Sequence, residues 1–164
     1  MLNFLKNNLK PQIGKAVVYF TNNKIVIFTM DTTNESSSVL SKNLSILDID
    51  CGYEIIAEKI LHHASLSKIL DNKIINLVNY YKDVLKLAGF KTMKAANENT
   101  KYISFEKSGD KISICPYTNI DASKKSQYYL RQSDDLVEIN QPITNEGLGK
   151  LIADLKNKCN FRNY

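Results

Sequence analysis

Two β-branched and aromatic runs stand out near the start of the pattern, Lys15-Ala-Val-Val-Tyr-Phe20 and Lys24-Ile-Val-Ile-Phe-Thr29. Thr21-Asn22-Asn23 separates them, and asparagine tolerates the left-handed backbone of a tight turn, so the pair predicts a β-hairpin. Residues 31–43 are rich in Ser, Thr and Asn with little apolar content and read as a loop. Leu44 to Asp48 reads as a short strand. The apolar period then lengthens. Ile56, Ile60, Leu61 and Ala64 fall at three- and four-residue spacing, which predicts a helix. A second helix is expected from about Asp71 to Ala88, with Ile74, Leu77, Val78, Tyr81, Leu85 and Ala88 as its apolar stripe. Gly89 stands where a C-terminal cap belongs.

Beyond Gly89 the period returns to two. Tyr102-Ile-Ser-Phe-Glu106 and Lys111-Ile-Ser-Ile-Cys115 flank Ser108-Gly109-Asp110, a second hairpin whose far strand is expected to close at Pro116. Residues 117–133 are polar and basic and read as a long loop. Leu136 to Ile139 reads as a strand. A last helix begins near Thr144, whose hydroxyl can cap it, with Leu148, Leu151, Ile152 and Leu155 on its buried face.

One echo runs through this pattern. Leu47 to Ser67 resembles Ile139 to Cys159 at a constant offset of 92, pairing Glu54 with Glu146, Ile56 with Leu148, Ala57 with Gly149 and Ile60 with Ile152. If the echo is structural, the chain holds two related strand-plus-helix units on one sheet. The expected fold is α+β: a central, mostly antiparallel sheet of two hairpins plus short strands, packed with about three helices in a single domain over residues 1–164.

Composition narrows the class without changing that picture. The apolar and charged fractions, 43% and 24%, are those of an ordinary globular protein. No apolar run reaches the roughly 20 residues a membrane-spanning helix needs. The start, Met1-Leu2-Asn3-Phe4-Leu5-Lys6, lacks a signal peptide's long apolar core, so a cytoplasmic location is expected. Cys51, Cys115 and Cys159 are odd in number and far apart, which argues against a disulfide framework and against zinc.

The net charge of +5 is unevenly spread. Residues 31–66 carry six acids, among them Asp48, Asp50, Glu54 and Glu58, against Lys42 and Lys59 only, a balance of −4. Residues 67–131 carry twelve Lys or Arg against six acids, a balance of +6. Most of those lysines interleave with acids, as on a solvated surface, and no block of five or six like charges occurs.

The constellations that could carry chemistry are few. His62 and His63 are the only histidines, and adjacent helical residues point about 100° apart, so they cannot share one metal or one proton. One is expected to face inward and the other outward. Asn145-Glu146-Gly147-Leu148-Gly149-Lys150 lacks the Ser or Thr of a phosphate loop and the third glycine of a dinucleotide fingerprint. Its glycines read instead as a place where the helix packs closely on a neighbour. Asp48, Asp50, Glu54 and Glu58 gather at a helix start, where acids suit the helix dipole and also present an acidic patch. Lys124, Lys125, Tyr128, Tyr129 and Arg131 mix cations with aromatics. That mixture fits a plain loop, a protein contact or stacked single-stranded bases. No set calls for a metal, a cofactor or catalysis.

From about residue 76 to 160 the order of features resembles a family of contact-dependent growth inhibition (Cdi) immunity proteins. The residues carrying the resemblance are Leu87-Ala-Gly-Phe-Lys-Thr92, then Met93 with Asn97 and Asn99, then Lys111-Ile-Ser-Ile-Cys-Pro116. Val137-Glu-Ile139, Glu146-Gly-Leu-Gly149 and Cys159 complete it. Two features depart from the family. Tyr117-Thr118-Asn119 stands where a His and a Trp often follow the proline, and the chain is basic where immunity partners of nuclease toxins tend to be acidic. The resemblance implies a non-enzymatic cytoplasmic inhibitor that binds a cognate toxin domain, commonly a nuclease, and that needs neither membrane nor cofactor. Its toxin-binding surface is then expected at Asp48, Asp50, Glu54 and Glu58, or at Lys124, Lys125, Tyr128, Tyr129 and Arg131, with a preference for the acidic set. The alternative is a basic nucleic-acid-binding accessory protein, resting on a pI near 9.0.

Overall fold

The computed structural model describes residues 13–34, 37–70, 77–97, 100–122 and 126–163. The first hairpin forms as the pattern requires. Strand β1 (Gly14–Phe20) pairs antiparallel with β2 (Lys24–Thr33), from Ala16 opposite Thr29 to Phe20 opposite Ile25. Thr21 closes the turn, its amide and its hydroxyl both donating to the Lys24 carbonyl at 3.0 and 2.7 Å.

Strand β3 (Ser38–Asp48) then pairs antiparallel with β2, with a bulge between Phe28 and Met30. Residues 31–33 and 38–43, within the segment expected as loop, are therefore strand. Val39, Leu40 and Ser41 are consecutively buried whereas Lys42 and Asn43 are exposed, so no two-residue alternation betrays the strand. After helix α1 (Tyr53–Ser65), the two-residue β4 (Ile69–Leu70) joins β2 in parallel. Helix α2 (Leu77–Leu87) follows, and the first part of the helix expected from Asp71 lies outside the described residues. Gly89 takes a φ of +76° just past α2, the left-handed cap anticipated there. Next comes the short helix α3 (Met93–Asn97).

The second hairpin joins β5 (Lys101–Ser108) to β6 (Lys111–Ala122), which runs well past Pro116. Two expectations fail here together. Residues 117–133 are mostly not loop but the far end of β6, strand β7 (Ser126–Arg131) and a 3-10 turn at Ser133–Asp135. Pro116 does not close the strand because β6 exchanges partners around it. On one edge β5 gives way to the parallel β9 (Phe161–Asn163), and on the other β8 (Val137–Ile139) gives way to β7. A missing N–H is tolerated at such a junction, and the Pro116 carbonyl still accepts from the Gln132 amide at 3.1 Å. This end of the sheet is held by strand pairing with little apolar alternation, so the hydrophobic pattern could not announce it.

The sheet order is β3-β2-β1-β5-β6-β7, with β8 also on β6. Seven strands pair antiparallel, and β4 and β9 are added in parallel. Helices α1 and α4 (Asn145–Lys158) cover one face over a core that includes Ile25, Ile27, Phe105, Ile60 and Ile152. Helices α2 and α3 pack on the other, against Val17, Val26 and Phe28. The fold is α+β as expected, with four α-helices among the described residues.

The echo has a structural counterpart. β1, β2, β3 and α1 form one strand-strand-strand-helix unit; β5, β6, β8 and α4 form another, with β7 inserted. The central antiparallel β1–β5 pair joins them. The two helices meet on the same face at Gly149, where an added Cβ would lie 2.9 Å from the Tyr53 carbonyl. That close approach is what the glycine permits. Thr144 caps α4 by accepting from the Gly147 amide at 3.1 Å, as its position predicted.

Candidate interaction surface at the β3–α1 edge

β3 is an outer strand, and the chain leaves it through a tight turn in which the Cys51 amide donates to the Asp48 carbonyl at 3.1 Å. Gly52 then starts α1 without a side-chain cap. The first turn is the positive end of the helix dipole, and Glu54 supplies the negative charge that suits it. Asp48 on the strand end, Asp50 in the turn, and Glu54 and Glu58 on the helix are all exposed. The four are neighbours along the chain, but the register of β3 turns Asp48 towards the face that α2 covers, whereas α1, with Glu54 and Glu58, lies on the other face.

Their electrostatic surroundings differ. Glu58 lies 3.7 Å from Lys59, and Glu54 adds to the field that, after Glu146, raises the Lys150 ammonium's pKa. Asp48, Asp50 and Glu54 make no ion pair with a described residue. The Cys51 thiol is pushed up by burial first and then by Asp48 and Asp50, so it stays protonated and unreactive.

Three exposed isoleucines fall along the same segment of chain, Ile46 on the sheet face that α2 covers and Ile55 on the helix of the other face. Ile46 on β3 is 49% exposed, Ile49 in the turn 43% and Ile55 on α1 47%. Sequence reading missed them, although the signal was present. Ile55 falls off the helix stripe formed by Ile56 and Ile60, and Ile49 sits between two aspartates where a core residue has no reason to be.

Behind this edge His63 fastens helix to sheet. It is buried, with Nδ1 3.0 Å from the Thr29 hydroxyl on β2 and Nε2 2.8 Å from the Ser45 hydroxyl on β3. Thr29 also donates to the His63 carbonyl at 3.1 Å, so its oxygen is left to accept from Nδ1–H while Ser45 donates to Nε2. The arrangement satisfies a neutral imidazole. Burial, with repulsion from His62 and Lys59, holds its pKa down to about 4. His62 is exposed, which completes the in-and-out pair expected. With two hydroxyls as partners, His63 serves as a structural tie between α1, β2 and β3. Among the described residues no group of three or more His, Cys, Asp or Glu could hold a metal.

The basic set is placed elsewhere. Tyr128, Tyr129 and Arg131 lie on β7, paired with Ile120, Asn119 and Tyr117. Lys124 and Lys125 fall outside the described residues. β7 and β3 are the two ends of the strand order, five spacings or about 24 Å apart, so an interface centred on one set leaves the other at or beyond its rim.

A third surface was not anticipated. A groove of about 820 Å³ runs beside α2, floored by Tyr81, Leu85 and Phe90, with Lys82, Lys86 and Lys91 around it. Lys24 reaches across the sheet to donate to the Ala88 carbonyl and sits 4.4 Å over the Phe90 ring, fixing the groove's end.

No described helix is long and apolar enough to cross a membrane. No curated protein matches the sequence. Solved structures share the fold, two of them as follows. A protein of unknown function from Neisseria meningitidis superposes with a TM-score of 0.72 at 14% identity, covering 92% of this chain and 97% of that one. A chain of the CdiA-CT/CdiI toxin and immunity complex from Yersinia pseudotuberculosis superposes with a TM-score of 0.70 at 16% identity, covering 90% and 98%. At the level of sequence, the family described as CDI immunity protein matches residues 14–159, nearly the whole described chain, and the protein belongs to that family.

Proposed function

We propose that this chain binds the C-terminal toxin domain of a contact-dependent growth inhibition system and neutralises it in the cytoplasm, without catalysis of its own. The observation that carries the reading is the family match over residues 14–159. The toxin and immunity complex from Yersinia pseudotuberculosis, whose fold this chain shares, supports a protein partner.

The toxin domain we propose is a nuclease, and the surface it meets is the acidic edge at Asp48, Asp50, Glu54 and Glu58. A nuclease binds phosphate through a positively charged groove, and an exposed acidic edge offers that groove the same charge that nucleic acid does. Charge complementarity of this kind speeds encounter and rejects wrong partners. The residues 124–131 form the second candidate surface, the one to dock if the toxin is acidic.

The test is coexpression with the toxin-domain gene adjacent to this one. Cells making the toxin are expected to grow only when this chain is present, and the two purified proteins to form a complex. Growth arrest that this chain does not relieve would remove the immunity reading. A steep, salt-dependent affinity for RNA or DNA in its place would support the nucleic-acid-binding alternative.

A further inference from the structure

Helix α2 ends in a cap that shapes the groove beside it. The Phe90 amide donates to the Leu85 carbonyl at 2.8 Å and the Gly89 amide to the Lys86 carbonyl at 3.0 Å, with Gly89 in the left-handed region. A cap of this kind folds the residue after the glycine back towards the last helical turn. Phe90 and Leu85 both line the groove of about 820 Å³, with Tyr81 one turn before Leu85, and with Met93, 42% exposed, from α3. The volume is that of a binding cavity. The Lys24 bond to the Ala88 carbonyl holds this end of α2 to the first hairpin, so the groove is preformed.

The cations beside this floor follow the same spacing. Lys82 and Lys86 are one helical turn apart, alongside Tyr81 and Leu85, and Lys91 lines the groove beyond the cap as Phe90 does. All three are exposed, and none pairs with an acid among the described residues. Asp83, the acid on α2, is taken by Lys42 at 3.1 Å. The floor offers little hydrogen bonding of its own. The Tyr81 hydroxyl already bonds the Leu40 backbone, and the Thr92 hydroxyl accepts from the Ala95 amide at 3.1 Å.

We infer that the groove beside α2 is a docking site for an acidic amphipathic helix of a partner protein. Its apolar side chains enter between Tyr81, Leu85, Phe90 and Met93, and Asp or Glu alongside them meet Lys82, Lys86 and Lys91. An apolar row and a charged row at one-turn spacing are what a facing helix presents. A single-headed amphiphile would engage one cation and leave the others unmatched. A nucleic acid would set base edges on a floor that leaves their polar atoms unpaired. The same lysines repel the basic groove of the proposed toxin, so this partner is a second one, and the site does not depend on the toxin-binding reading.

The probe is a labelled peptide of about 18 residues, five helical turns, with Leu at one-turn spacing, Glu on the adjacent row and Ala elsewhere. Fluorescence anisotropy follows its titration with the full chain. The comparisons are a scrambled peptide of the same composition, a version with Lys for Glu, and the protein variants K82E/K86E/K91E and M93S. Every substituted side chain is exposed, and thermal melts check that each variant folds.

Saturable binding is expected at about 0.1 mM or tighter. The two altered peptides and the lysine variant are each expected to weaken it about tenfold or more, and M93S about threefold. Amide resonances of residues 81–93 in the unaltered chain should shift during the titration, a readout that a less stable variant cannot mimic. Equal binding by the scrambled peptide, undiminished binding to the lysine variant, shifts confined to other residues, or no saturation by about 1 mM overturns the site. Dodecanoate or oligothymidylate binding the groove more tightly than the peptide would reassign it to that class of ligand and overturn the helix.

Discussion

The β3–α1 segment and the groove beside α2 both pair exposed charge with apolar side chains, yet the charges differ in sign. The segment from β3 to α1 exposes Asp48, Asp50 and Glu54, with Ile46, Ile49 and Ile55 exposed between them in the chain. The groove is concave, with Leu85 and Phe90 recessed among Lys82, Lys86 and Lys91. A chain of net charge +5 is repelled as a whole by a basic partner. What a docking protein meets at close range is local, however, and charges beyond about a Debye length, near 8 Å at physiological salt, are largely screened. The bulk charge of this protein is therefore a poor guide to its partner. The departure from the acidic character usual in immunity partners of nucleases is compatible with an acidic docking edge.

That contrast can be broken most forcefully by reversing one sign at a time. Replacing Asp48, Asp50 and Glu54 by Lys is expected to abolish protection of toxin-expressing cells and to weaken the complex by about 3 kcal/mol or more, the range found when interfacial charge pairs are disrupted. The matching reversal on the groove, K82E/K86E/K91E, is expected to leave affinity within threefold and protection intact. The opposite result, with the groove variant failing and the edge variant protecting, would transfer the toxin to the groove. Isothermal titration of both variants against the toxin domain decides between them.

A smaller effect comes from the tie behind the edge. His63 titrates near 4 in the folded chain and near 6.5 when unfolded. Between those values the unfolded state binds more protons, so the stability contributed by the buried neutral ring is complete above pH 6.5 and is lost as pH falls towards 4. The loss reaches about 2 kcal/mol at pH 5. Urea midpoints for the unaltered chain should drop between pH 7 and pH 5, and His63→Gln should remove most of that slope while lowering stability at pH 7 by about 1 kcal/mol. The groove contains no histidine, so its charge variant should retain the unaltered slope. An unchanged slope in His63→Gln would mean that another group titrates.

Much of this architecture was legible along the chain because alternation and helical spacing are imposed by burial on one side. The Lys15–Phe20 and Lys24–Thr29 hairpin, the Ile56–Ile60–Ala64 face and the Thr144 cap all follow from that constraint. The strands that escaped notice are those where the constraint lapses. Residues 38–43 bury three consecutive positions at the sheet edge, and residues 117–122 are held by pairing with β9 and with β7. The acidic half of the candidate site was visible as a charge imbalance. The isoleucines were not, because an exposed apolar residue reads in a sequence as one more core residue until neighbours show it uncovered. The groove could not be foreseen at all. It depends on Lys24, from the first hairpin, meeting the end of α2 some 64 residues later.

That meeting point allows the finest test of the comparison. Gly89 holds a φ of +76°, which costs an L-residue about 1 kcal/mol, and an added Cβ would stand 2.9 Å from the Lys24 Nζ. The lysine tip is flexible and can withdraw, giving up its bond to the Ala88 carbonyl and its place over Phe90. Gly89→Ala should therefore lower stability by only about 1–2 kcal/mol, read from denaturant midpoints, and loosen the end of the groove without reaching β3 or α1. Toxin affinity is then expected to stay within twofold at pH 7, where the variant remains folded. His63→Gln, of comparable cost in stability but placed behind the acidic edge, should speed toxin dissociation several-fold. Two substitutions matched in stability and unequal in binding would locate the docking surface by position in the fold. Equal losses would instead mean that affinity follows global stability and that neither surface is privileged.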